Sequence, residues 1–171
     1  MGAMDYRPTG SPMAAGPHPP LDKEAQVDML LDQIKVPFPV QAAAAALGLA
    51  ALLVIALAAQ NLLMVNWRGP YTFVPFLLVG AGIGSAAIAA KLLRARGWAH
   101  LAALATAIVL TLATGAWFVF MFLRGLLSLL AFGSVGMCLV AVVAVAVSTG
   151  PFERVTTARR RLRELGHDVD L

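Results

Sequence analysis

The residues that most often perform acid–base or metal chemistry are distributed unevenly along this chain. All nine aspartate and glutamate residues lie before Gln33 or after Phe152, so the long intervening stretch carries no carboxylate. A carboxylate inside a membrane-spanning segment is a usual mark of a proton or ion route. Its absence argues against a proton-coupled pump that works through a buried acidic group.

The other candidates for chemistry are one cysteine and three histidines. Cys138 is alone, so it forms neither a disulfide within the chain nor a dithiol redox pair. His100 lies at the start of the third apolar run, whereas His18 and His167 lie in the two tails, so a haem held by two histidines is not expected. No group of residues has the spacing of metal ligands. We therefore predict no catalytic, cofactor-binding or metal-binding residue, and a protein that is not an enzyme.

The stretch without carboxylates consists of four apolar runs separated by short polar breaks. Apolar residues make up 60% of the chain and charged residues 13%, against roughly one half and one quarter in an ordinary soluble domain. Each run exceeds the roughly 20 residues that a helix needs to cross a bilayer. We predict an all-α integral membrane protein, a four-helix bundle made of two helical hairpins. The membrane domain covers residues 37–149, with transmembrane helices at about 40–65, 72–93, 99–123 and 126–148.

The positive charges predict the orientation of these helices. With four spans, eleven of the thirteen lysine and arginine residues fall on one side, in the two tails and the second break. Only Arg68 and Arg124 fall on the other side. Positive residues favour the cytoplasmic side, so we expect a multi-pass protein of the inner (plasma) membrane with both termini in the cytoplasm.

Two short amphipathic helices are predicted outside the membrane. Residues 1–20 are rich in proline and glycine and are expected to form a disordered tail. Residues 21–36 form an acidic helix capped by Asp22, whose apolar face is predicted to dock a protein partner. Residues 150–171 form a basic helix and tail, predicted to contact anionic lipid headgroups or an acidic partner surface, or to act only as a determinant of topology. The docking residues are Val27, Leu30, Leu31 and Ile34, and the basic contact residues are Arg159, Arg160, Arg161 and Arg163.

Small residues recur at helical spacing in the second, third and fourth apolar runs. Such residues let helix backbones approach closely in lipid, where the hydrophobic effect contributes little between helices. The small residues have two alternative roles. They pack the helices of one bundle together, or they bind the helices of a second copy or of a partner protein. The predicted helix-packing residues are Gly80, Gly84, Ala103, Ala107, Thr111, Gly115, Gly133 and Gly136.

These patterns favour a non-enzymatic accessory, scaffold or assembly subunit of a membrane complex. It would act through helix–helix packing and a cytoplasmic docking helix. The expected partners are the lipid bilayer, other membrane proteins or further copies of the chain, and anionic lipid headgroups. Nucleic acid is not expected, because the positive residues flank apolar runs. The alternative is a small oligomeric channel, or a carrier for a lipid or apolar solute, which needs no titrating group within the membrane.

Overall fold

A computed structural model of the chain describes residues 23–64, 72–125 and 128–166. Helices account for 87% of these residues, and no strand occurs among them. The predicted tail at residues 1–20, the predicted cap Asp22, the turn that contains Arg68 and the last residues from His167 lie outside the described ranges. The helices are α1 (Lys23–Gln33), α2 (Phe38–Met64), α3 (Val74–Leu93), α4 (Ala99–Leu123), α5 (Leu129–Val147) and α6 (Thr149–Glu164).

Four of these helices, α2 to α5, are long and apolar enough to cross a membrane, which confirms the predicted number of apolar helices. They contain 27, 20, 25 and 19 residues. The third begins at Ala99 and ends at Leu123, the residues at which the sequence predicted its ends. A helix satisfies its backbone amides and carbonyls internally, which a segment surrounded by hydrocarbon requires.

Local chemistry sets where the fourth apolar helix begins. Ser128 has an extended backbone, and its side-chain oxygen accepts a hydrogen bond from the amide of Ala131 at 3.1 Å. This is an N-cap, so α5 begins at Leu129 rather than at residue 126 as predicted. On the other side of the turn, Gly125 has a φ of +71°, a left-handed conformation that glycine adopts without a steric penalty.

The second of the six helices, α2, is the central element of the packing. It lies along both α3 and α5, while α4 packs mainly on α5 and less extensively on α3. The buried side chains of α2 are small, since alanines occupy most of the positions between its larger aliphatic residues. Small side chains bring helix backbones close together, which increases van der Waals contact between helices. The buried residues of α2 in this main apolar core are Val40, Ala43, Ala44, Ala46, Leu47, Ala50, Val54 and Ala58.

The closest approach between α2 and α3 occurs at Gly82. A Cβ atom added at Gly82 would lie 2.5 Å from Cγ1 of Ile55 and 3.1 Å from the carbonyl oxygen of Ala51. Isoleucine is branched at Cβ and has little rotamer freedom in a helix, and the oxygen belongs to the backbone. The neighbours therefore cannot easily move aside, and Gly82 sets the distance between these two helices.

We predict that Gly82→Ala lowers the free energy of unfolding by about 1–3 kcal/mol, because the added methyl group overfills the α2–α3 contact. The matched control is Gly84→Ala, since a Cβ at Gly84 meets no atom within 4 Å. Denaturant unfolding of both variants in the same detergent, followed by circular dichroism, measures the difference. Equal stabilities for the two variants would contradict the assignment of Gly82 as the close contact.

Candidate functional site

Polar contacts made by His100 and Arg159 lie at one end of the apolar core, where α6 lies. The sequence of α6 places apolar residues at steps of three and four, and this face is buried. Phe152 and Val155 join the main apolar core, and α6 contacts α1, α2 and α5. The opposite face carries arginine and glutamate side chains. An amphipathic helix of this kind covers the end of the core and presents its charges outward. The buried residues of α6 are Phe152, Val155, Ala158 and Leu162.

His100 connects α4 to the junction between α5 and α6. Its Nε2 atom lies 3.0 Å from the carbonyl oxygen of Val145 and 3.3 Å from the hydroxyl of Thr149. Because a carbonyl oxygen only accepts hydrogen bonds, Nε2 carries the hydrogen atom and donates a hydrogen bond to the carbonyl oxygen of Val145. The ring also packs on Phe152, with 5.1 Å between the ring centroids. No role was predicted for His100 from the sequence, although a histidine in the first turn of an apolar helix needs a polar partner nearby.

Arg159 connects α6 to the turn between α3 and α4. Its Nη1 donates to the carbonyl oxygen of Arg94 at 2.7 Å and to that of Ala95 at 3.5 Å. Ala95 has a φ of +47°, a left-handed conformation that costs about 1–2 kcal/mol for a residue other than glycine. The guanidinium charge also complements the negative end of the α3 dipole. Burial, and to a lesser extent the nearby charge of Arg163, lowers the pKa of Arg159.

The four predicted basic contact residues therefore differ in their surroundings. Arg159 is directed at backbone carbonyls of its own chain rather than outward. Arg160 lies 3.7 Å from Glu164 in an exposed ion pair on the same helix, which is of the kind that contributes little to stability. Arg161 and Arg163 are exposed. The side chain of Arg159 thus makes a defined contact with the end of another helix.

The predicted docking face of α1 is divided between the interior and the surface. Ile34, just after the helix, is buried with 7% exposure, and Val27 and Leu30 are half-buried. Leu30 lines a cleft between α1 and α6. Leu31 is 48% exposed, and Met29, which the sequence analysis did not select, is 52% exposed. α1 thus uses part of its apolar surface against its own chain and leaves Met29 and Leu31 outside.

The predicted small residues also fall into two groups. Ala103 and Ala107 are fully buried, and Thr111 and Gly115 are half-buried. The four predicted glycines of α3 and α5 lie on the surface, and a Cβ added at any of these four meets no atom within 4 Å. The close contact on α3 falls on the adjacent face, which contains Gly82, Ser85 and Ala89. The four exposed glycines are Gly80, Gly84, Gly133 and Gly136.

Five polar side chains inside the apolar region bond to carbonyls of their own helices, whereas Oε1 of Gln60 and Nε1 of Trp117 are buried without a hydrogen-bond partner. Ser85 donates to Ala81 at 2.7 Å, and Ser134 donates to Leu130 at 2.6 Å. Three further side chains do the same, so these groups are satisfied one turn back and are not directed at a shared cavity. Among the described residues, no group of three histidine, cysteine, aspartate or glutamate side chains is placed to hold a metal ion. The other three side chains are Asn61, Thr111 and Thr114.

Comparisons with protein-family models, with curated proteins and with solved structures find no match to this chain.

We predict that Arg159→Gln loosens the end of α6, because it removes a charge-assisted hydrogen bond worth about 1.5–3 kcal/mol. Amide hydrogen exchange should accelerate in α6 and around the turn at Ala95. Arg160→Gln is the matched control, since the Arg160 side chain is 80% exposed and its loss should leave exchange unchanged. Similar exchange in both variants would show that the Arg159 contact does not hold α6 in place.

Proposed function

We propose that this chain is a non-enzymatic, multi-pass membrane protein that serves as an accessory, scaffold or assembly subunit of a membrane complex. Its four apolar helices cross the inner (plasma) membrane as a four-helix bundle of two hairpins, with both termini in the cytoplasm. The distribution of lysine and arginine residues supports this orientation. The contacts of α2 with α3 and of α4 with α5 support the pairing of helices into hairpins.

The observation that carries this proposal is the local bonding of the interior polar groups. A channel or an acid–base site needs hydroxyl, amide or charged groups that face a ligand or water. Here the hydroxyls of Ser85, Thr114 and Ser134 each donate to a carbonyl of their own helix. The surrounding core consists mainly of alanine, leucine and valine. The hydroxyls of these three described residues are thus occupied within their own helices, which favours a role carried out by the outer surfaces.

Two outer surfaces are suited to binding other proteins. The first is the exposed part of α1, formed by Met29 and Leu31, which presents apolar side chains beside the acidic residues Asp28 and Asp32. The second is the exposed line of Gly80 and Gly84 on α3, where a helix from another chain can approach the backbone closely. Neither surface requires a titrating group or a cofactor, which agrees with the composition of the apolar helices.

Docking through α1 can be tested with charge substitutions on its exposed face. We expect Leu31→Glu to reduce the amount of a co-purifying protein by about tenfold or more, as a charge in an apolar contact costs several kcal/mol. Gln33→Glu is the matched control, since it adds the same charge to an exposed polar position in α1. Unchanged recovery of every co-purifying protein with Leu31→Glu would exclude docking through this face.

Association through α3 is tested separately with bulky substitutions. Gly84→Leu should reduce chemical cross-linking of the chain to a neighbouring membrane protein or to a second copy. The reason is that the leucine side chain would separate the two helix backbones. Ala113→Leu on α4 is the control, since Ala113 is likewise exposed and lies on a different helix. The proposal for the Gly80–Gly84 line is wrong if both variants cross-link as the unmodified chain does.

A further inference from the structure

Two neighbouring cavities lie at the end of the apolar helices where α2 begins and α5 ends. The first is a cleft of about 990 Å³ between α1 and α6, which lies outside the apolar core. The second is a groove of about 440 Å³ between α2 and α5. Pro39 lines both of them, so the polar cleft and the apolar groove lie next to each other.

The charges that line the cleft sum to a small positive excess. Lys35, Arg154 and Arg161 oppose Asp32 and Glu153. Lys35 donates a hydrogen bond to Asp32 at 2.8 Å, which lowers the pKa of that carboxyl, and the opposite charges of this ion pair offset each other. The two arginines then face a single remaining carboxylate.

The two arginines are arranged along one face of α6. Arg154 and Arg161 are seven residues apart, which corresponds to two helical turns or about 10 Å. Thr157 lies between them and also lines the cleft, so its hydroxyl adds a hydrogen-bond donor. Guanidinium groups bind phosphate oxygens in a paired, directional geometry. This side of the cleft therefore suits the phosphate of an anionic headgroup.

The groove is suited to hydrocarbon. It is bordered by exposed aliphatic side chains of α5, and the smaller residues Ala42 and Ala144 form its floor. From Leu139 to Val147 it extends over nine residues, or about 12 Å along the helix. That length is close to the roughly 15 Å occupied by an acyl chain in one leaflet of a bilayer.

We propose that the cleft and the groove together bind one acidic phospholipid, whose phosphate contacts Arg154 and Arg161 and whose acyl chain lies between α2 and α5. A membrane lipid fits both cavities, since the charged cleft suits its headgroup and the apolar groove suits its acyl chain. Bound there, it bridges α1, α2, α5 and α6. This inference goes beyond the proposed role as a subunit and does not depend on it.

The test is native mass spectrometry of the full chain in detergent, titrated with phosphatidylglycerol or with phosphatidylcholine. One phosphatidylglycerol per chain should be retained in preference to phosphatidylcholine. Affinity should fall about fivefold for Arg154→Gln or Arg161→Gln, and about thirtyfold for both together. Arg160→Gln is the matched control, since Arg160 does not line the cleft and should bind lipid as the unmodified chain does.

Three results would overturn the proposal. The first is an equal loss with Arg160→Gln, which would mean diffuse attraction to a basic helix. The second is displacement of the lipid by inorganic phosphate at low millimolar concentration, which would mean that the cleft binds phosphate without using the groove. The third is unchanged retention in Ala42→Phe, which fills the groove, when Ala113→Phe on α4 serves as the control for added bulk.

A second measurement uses the unmodified chain and does not depend on the folding of any variant. Phosphatidylglycerol that carries a photoreactive group in its acyl chain should label the peptide containing Val143 and Val147. Labelling of that peptide above the level given by photoreactive phosphatidylcholine supports the site. Labelling spread equally over α3 and α4 would contradict it.

Discussion

The constraint on which this structure depends is that apolar helices gain little from the hydrophobic effect when lipid surrounds them. Their association must come from close van der Waals contact and from the few polar bonds between them. The central helix, α2, meets this constraint with a buried surface made largely of alanine, and α3 meets it with Gly82. The absence of carboxylates from these helices follows the same logic, since a buried charge would need a partner that the interior does not contain.

The last helix, α6, is held by polar contacts as well as by the packing of Phe152 and Val155 in the apolar core. Arg159 binds the carbonyls at the end of α3, and His100 binds the carbonyl of Val145 where α5 meets α6. Both contacts satisfy carbonyl groups that lie at or near a helix end, where part of the backbone has no partner within its own helix. These contacts connect α6, which forms one side of the cleft between α1 and α6, to the rest of the helices.

The number of apolar helices could be predicted from the sequence, because length, hydropathy and the breaks between runs determine it directly, whereas the start of α5 depends on the local cap at Ser128. Ala103 and Ala107 are buried as packing residues would be, whereas Gly80 and Gly84 lie on the surface and Gly82 makes the close contact. A GxxxG spacing shows which residues share a helix face, but the direction of that face depends on where the neighbouring helices lie. The hydrogen bond from Arg159 to the end of α3 could likewise not be predicted from the sequence, since its carbonyl partners are about 65 residues away along the chain.

The most direct test of the central claim is the mass of the intact assembly after gentle extraction from the membrane, with every co-purifying protein identified. If the chain is an accessory subunit, the result is a defined complex in which it is bound to at least one different membrane protein in fixed stoichiometry. A closed assembly of this chain alone would contradict the role as an accessory subunit and would favour an oligomeric channel or carrier.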